Sequence, residues 1–300
     1  MIDKNKLILS PGMRLGLFVC ITVFCLLISA LISGIIMYKW PNTTSAMRIA
    51  TIIQDIILFI APAIITSIFI TKLPADFLQL RTFPSLKSIF LTTLIIFLSI
   101  PAMNFIVHCN ESISLPDSFK GIEMQLKSME ESSQKSIEIL LGFGSSTSII
   151  NLVISILIIG VLTGLSEELF FRGALQNIFS TSSMKYHSAI WITAFIFSTM
   201  HFQFYGFIPR LLLGAFFGYL AFWSRSLWLP IFAHTLNNSM VVISTWLIKQ
   251  NTNAIDVNKI GANFSNGNYL LITISIIATT LGILILYRHL NNLHRDKKTR

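Results

Sequence analysis

The chain has 300 residues, of which 53% are hydrophobic and only 12% charged, with a formal net charge of +9 and a mean hydropathy of +0.72. That balance excludes a soluble globular protein, because the apolar residues come in blocks of about 17–25 separated by short polar stretches, the length that crosses a bilayer as a helix. The basic residues flank these blocks and form no patch with interleaved aromatics, so the expected partner is the lipid bilayer and not nucleic acid.

In chain order, spans are predicted at roughly 15–38, 49–71, 86–108, 147–177, 187–203, 209–223, 227–248 and 267–287, which makes an all-α membrane protein of about eight transmembrane helices. Lys4 and Lys6 precede the first block as in a secretory signal. The run from Leu15 to Met37 exceeds a signal h-region of about 7–15 residues, so it reads as a retained span. Lys and Arg concentrate at one set of ends: Lys4, Lys6, Arg14, Lys72, Arg81, Lys87, Lys185, Arg225 and the tail from Arg288 to Arg300. By the positive-inside rule both termini face the cytoplasm, and the compact length fits a bacterial cell membrane. The one long polar insertion, 109–146, is net acidic. Ile122, Leu126, Met129, Ile137 and Leu140 recur among its charges as in an amphipathic helix at the outer interface; a solvated linker is the other reading. Residues 1–146 thus form N-terminal helices plus an acidic outer loop, 147–250 a motif-bearing core, and 251–300 a last span with a basic cytoplasmic tail.

The three cysteines, Cys20, Cys25 and Cys109, imply no disulfide framework and no zinc cluster. There is no Gly-rich phosphate loop, no GxSxG elbow and no HExxH.

The chemistry concentrates at 164–176, where Glu167, Glu168 and Arg172 sit at the end of a long apolar run. Ionisable side chains at bilayer depth are costly to insert and point to function. In a helix Glu168 and Arg172 are i,i+4 and share a face, while Glu167 is turned about 100° away. Arg172 is therefore expected to neutralise Glu168 and leave Glu167 free to exchange a proton. An ion pair that only locks two helices is the plainer alternative. The fifth span ends in Phe197 and His201, again i,i+4, and the seventh carries His234 and Asn238 at the same spacing. Counted from the predicted cytoplasmic ends, Glu167 lies about 15 Å deep, His201 about 21 Å, His234 about 10 Å and Asn238 about 16 Å. Four polar residues on three helices thus fall in one layer.

Glu-Glu-x-x-x-Arg, Phe-x-x-x-His and His-x-x-x-Asn, in this order within apolar helices, resemble the CAAX protease and bacteriocin-processing (CPBP, or Abi) family. The resemblance covers about 160–240. It implies an eight-helix intramembrane endopeptidase of the glutamate type that uses an activated water and no zinc. Carried over, Glu167, His201, His234 and Asn238 are catalytic, with Glu168, Arg172 and Phe197 in support. Glu167 would be general base, His201 would orient the water, and His234 and Asn238 would donate to the oxyanion. The implied substrate is a membrane-anchored protein or leader peptide reached from the cytoplasmic side. Two other readings compete. Glu167, His201 and His234 form a possible zinc ligand set; or the protein is a non-catalytic bacteriocin-immunity or membrane scaffold protein that keeps the motifs as packing.

Overall fold

The structure, a computed structural model, describes residues 7–142, 148–181, 184–250, 259–262 and 268–296. Lys4, Lys6 and the tail beyond residue 296 lie outside the described residues.

Helix starts follow the capping residues. The Ser10 hydroxyl accepts from the Met13 amide and Pro11 takes the first helical position, opening α1 (Pro11–Lys39). Thr43 caps α2 (Thr44–Ile70), and a short turn α3 (Pro74–Phe77) follows. Ser85 caps α4 (Leu86–Glu111). The insertion forms α5 (Lys120–Leu141), closed by Gly142 at φ +69°, the left-handed conformation in which glycine alone meets no Cβ penalty. Ser148 caps α6 (Ile149–Thr181). After it come α7 (Tyr186–Thr199), α8 (Phe207–Ser224), α9 (Trp228–Gln250) and α10 (Asn268–Asp296).

The fold is all-α, and seven helices among the described residues are long and apolar enough to cross a membrane. The remaining predicted span, the fifth, is α7, which is helical but has only 14 residues, about 21 Å. It falls short of a full hydrocarbon thickness of about 30 Å, and His201, half-buried, lies in the turn that follows it. The α6 helix, in turn, runs past 177 to Thr181, which puts Glu167 about 21 Å from that end.

Polar side chains repair the backbone wherever a helix departs from α geometry. Pro101 breaks the ladder of α4. There the Ala102 amide donates to Ser275 Oγ at 3.2 Å, and the same hydroxyl donates to the Leu98 carbonyl at 2.5 Å. One serine of α10 thus stands in for the missing helical bond. Wide π-helical turns occupy Gln54–Ile60 in α2 and Ile156–Leu162 and Leu169–Leu175 in α6.

Two apolar cores meet along α9. The first joins Phe18 of α1, Leu58 and Phe59 of α2, Phe77 and Leu78, the 169–175 stretch of α6, Phe197 of α7, and Leu227 and Ile231. The second joins Ile95 and Ile96 of α4, Phe217 and Leu220 of α8, Leu229 and Ala233 of α9, and Leu286 and Leu290 of α10. The outer faces invert the soluble pattern: Phe24, Leu27 and Leu31 of α1 are all more than half exposed, as lipid-facing residues must be. The expected amphipathic helix does form as α5. Its C-terminal end is held by Arg48, which donates to the carbonyls of Leu140 at 3.1 Å and Leu141 at 2.9 Å. Cys20, Cys25 and Cys109 are free thiols.

Candidate active site

Glu167 and Glu168 fall on a six-residue α-helical stretch, Thr163–Glu168, with a π-helical turn on either side. Such turns are frequent at functional sites because they re-aim side chains and free carbonyls for outside donors. Both effects operate here. Asn238 of α9 donates to the freed Ile159 carbonyl at 3.2 Å. Gly164 lets the two helices close up: a Cβ there would stand 3.0 Å from Thr235 Oγ1 and 3.1 Å from its backbone nitrogen.

The expected i,i+4 pair is present. Arg172 Nη1 meets Glu168 Oε1 at 2.7 Å, with both side chains fully buried. Arg172 Nη2 also donates to the Gly214 carbonyl of α8 at 2.9 Å, and its guanidinium lies 4.7 Å from the centre of the Phe197 ring. Glu168 makes a second contact that i,i+4 spacing does not reveal: its Oε1 is 2.8 Å from His234 Nδ1. A carboxylate only accepts, so the Nδ1–H donates. The other ring nitrogen, Nε2, faces Glu167 with 3.7 Å to Oε2. His234 therefore sits between the paired glutamates, 4% exposed, and among the described residues Glu167 makes no direct hydrogen bond.

Aromatic rings fix the plane of that imidazole. Phe217 stacks on it at 4.9 Å between centroids, and Phe197 meets it edge-on at 5.9 Å. Phe197 also touches the His201 ring at 5.0 Å, so it lies between the two histidines. His201 Nδ1 donates to the Phe197 carbonyl at 2.9 Å, which in the neutral ring turns the Nε2 lone pair outward. His201 is half-buried and joins the cluster through Phe197, with no direct hydrogen bond to Glu167 or His234 among the described residues. Among those residues, no group of three or more His, Cys, Asp or Glu side chains is arranged to hold a metal ion, so the ligand set of Glu167, His201 and His234 is not assembled.

Two residues beyond the motifs belong to the cluster, Asp55 and Phe217. Asp55 of α2 is 2% exposed and accepts from Thr163 Oγ1 and from Ser166 Oγ, each at 2.9 Å. The signal for it was in the sequence, since Asp55 is an ionisable residue inside the second predicted span. Phe217 carries no such signal, being one apolar residue among many on α8.

No curated protein and no solved structure matches the chain. One family model does, described as Rce1-like, type II CAAX prenyl endopeptidase Rce1-like, and it covers residues 149–240, from the start of α6 to the middle of α9. That stretch holds Glu167, Glu168, Arg172, Phe197, His201, His234 and Asn238. Over residues 149–240 the chain is thus similar to the Rce1-like type II CAAX prenyl endopeptidases, a family of proteases.

Proposed function

We propose that the chain is an intramembrane endopeptidase of the glutamate type, with 147–250 as its catalytic core and Glu167 as general base. The observation that carries this is the placement of His234, whose Nδ1 is engaged by Glu168 at 2.8 Å while Nε2 faces Glu167 at 3.7 Å. An imidazole oriented by one carboxylate, beside a second carboxylate left free, sets a hydrogen-bond donor next to a general base. The 3.7 Å gap is too long for a direct hydrogen bond and leaves Glu167 Oε2 available to a water.

The chemistry balances with these groups. Glu167 takes a proton from the water, and its oxygen attacks the scissile carbonyl carbon. His201 Nε2 accepts a hydrogen bond from the O–H that stays on the water and so aims the attacking lone pair. The donor to the oxyanion is His234 through Nε2, the ring position turned toward Glu167, and the Asn238 amide hydrogen not bonded to Ile159 adds a second donor. Glu167 then hands its proton to the leaving amine as the C–N bond breaks. Arg172 and Phe197 hold Glu168 and the rings in place. The cytoplasmic orientation of the site rests on the Lys and Arg distribution, which the contacts respect: Arg14 near the start of α1 donates to Thr181 Oγ1 at the end of α6 at 2.6 Å. The substrate is a membrane-anchored or leader peptide.

The test is cleavage of a farnesylated Cys-aliphatic-aliphatic-X reporter peptide by purified protein in liposomes. E167Q keeps the side-chain shape but cannot take the proton, and cleavage is expected to fall to background. Wild-type cleavage by E167Q refutes the assignment.

A further inference from the structure

The turn that carries Glu167 has an unusual mechanical problem. Its six α-helical residues, Thr163–Glu168, lie between two π-helical turns, so the ladder on either side is wide and weakly directional. A base that must sit within a fraction of an ångström of its water needs support from outside that ladder.

One side of the turn is gripped by α9, through Asn238 on the Ile159 carbonyl and Thr235 against Gly164. The opposite support comes from α2. Asp55 Oδ2 accepts from Thr163 Oγ1 and Asp55 Oδ1 from Ser166 Oγ, so one carboxylate spans the first and fourth residues of the stretch. Ser166 immediately precedes Glu167. Asp55 itself lies in a π-helical turn, Gln54–Ile60, and is close enough to interact electrostatically with both Glu167 and His234. A buried carboxylate aimed at two hydroxyls is expensive if it only fills space, since an apolar side chain would pack there at lower cost.

We propose that Asp55 is a positioning residue of this site: by clamping Thr163 and Ser166 it fixes the turn that presents Glu167. This rests on the peptidase reading of Glu167. The clamp works by hydrogen bonding and not by charge, which makes a specific prediction about asparagine. Each hydroxyl already faces a backbone acceptor as well, Thr163 Oγ1 the Ile158 carbonyl at 3.1 Å and Ser166 Oγ the Thr163 carbonyl at 3.0 Å. In D55N one hydroxyl donates to the amide oxygen. The other accepts from the amide nitrogen and sends its own hydrogen to its carbonyl. The clamp survives without the negative charge.

The experiment compares D55A, D55N and the double variant T163V/S166A in liposomes, using the farnesylated reporter peptide and hydrogen–deuterium exchange. D55A is expected to lower kcat by about 10²-fold, the scale of a small misplacement of a reacting group, with KM unchanged. D55N is expected to recover most of that loss. Exchange is expected to rise in D55A in peptides covering 163–169 and to stay at the wild-type level in those covering 228–240. Wild-type kcat in D55A, or a D55N as impaired as D55A, overturns the proposal. If D55A does not fold, T163V/S166A decides: a wild-type kcat without the two hydroxyls overturns it equally. If wild-type protein leaves the reporter intact, the peptidase reading fails and the clamp is judged on exchange alone, where an unchanged 163–169 segment in D55A refutes it.

Discussion

Replacing Arg172 by methionine removes a cation from a fully enclosed site. The guanidinium holds Glu168 Oε1 at 2.7 Å and the Gly214 carbonyl at 2.9 Å, and neither charged side chain of the pair is exposed. Stripping one partner from a buried ion pair costs about 3–5 kcal/mol, because the other charge stays in low dielectric. The orphaned Gly214 carbonyl adds about 1 kcal/mol. Together the loss is about 4–6 kcal/mol, a fall in unfolding temperature on the order of 10 °C. Cys25 is a buried reporter for the measurement: with Cys20 and Cys109 changed to Ser, labelling of its thiol by a fluorogenic reagent follows unfolding in detergent. The buried pair imposes a second requirement. In R172M/E168L both charges are gone, so part of the lost stability should return. Activity should not return, since His234 Nδ1 has then lost the carboxylate that orients it. An R172M protein that unfolds at the wild-type temperature refutes the reasoning, as does a double variant no more stable than the single.

G164A forces its methyl to within 3.1 Å of the Thr235 backbone, next to His234; it should cut kcat more than it lowers the unfolding temperature, measured on one preparation. R48M releases the C-terminal end of α5, which Arg48 ties through Leu140, Leu141, Asn151 and Ser155, and limited proteolysis should then cut within 120–142 faster than in wild type. On α5, burial holds the Glu130 carboxyl above its ordinary value; Arg210 opposes the shift and Glu111 reinforces it. A raised carboxyl stabilises the folded form below its unfolded value and loses that contribution as pH rises through the folded one. Exchange protection of α5 should therefore weaken with rising pH from the ordinary carboxylate range upward, and in E130Q that dependence should flatten.

Much of the site could be read from the chain because it is encoded in short-range spacing. Glu168–Arg172, Phe197–His201 and His234–Asn238 are all i,i+4 pairs, and where both members lie in a helix one turn puts them on one face; His201, just past the end of α7, stays beside Phe197 through its bond to the Phe197 carbonyl. The ion pair appears at 2.7 Å as that rule requires. What i,i+4 spacing does not supply is the partner across a helix gap. His234 was expected to aim at the oxyanion and Glu168 to pair with Arg172; the additional bond between Glu168 and His234 depends on how α6 is rotated against α9. The π-helical turns set that rotation by inserting extra residues into the helix, and no local pattern in an apolar run announces them. Asp55 was missed for a related reason: it stands 108 residues before Thr163 with no motif partner of its own.

The sequence by itself determined that this is an all-helical protein built of membrane-length apolar segments, because bilayer thickness and helical rise depend on length and composition alone. Only the tertiary structure decided that α7 stops short, leaving His201 in the turn beyond it, and that His234 lies between the two adjacent glutamates with Asp55 behind them. Those outcomes depend on the relative depth and rotation of packed helices. They are set by glycine close approaches, aromatic stacking and carbonyls freed at wide turns, all of which are contacts between residues far apart in the chain.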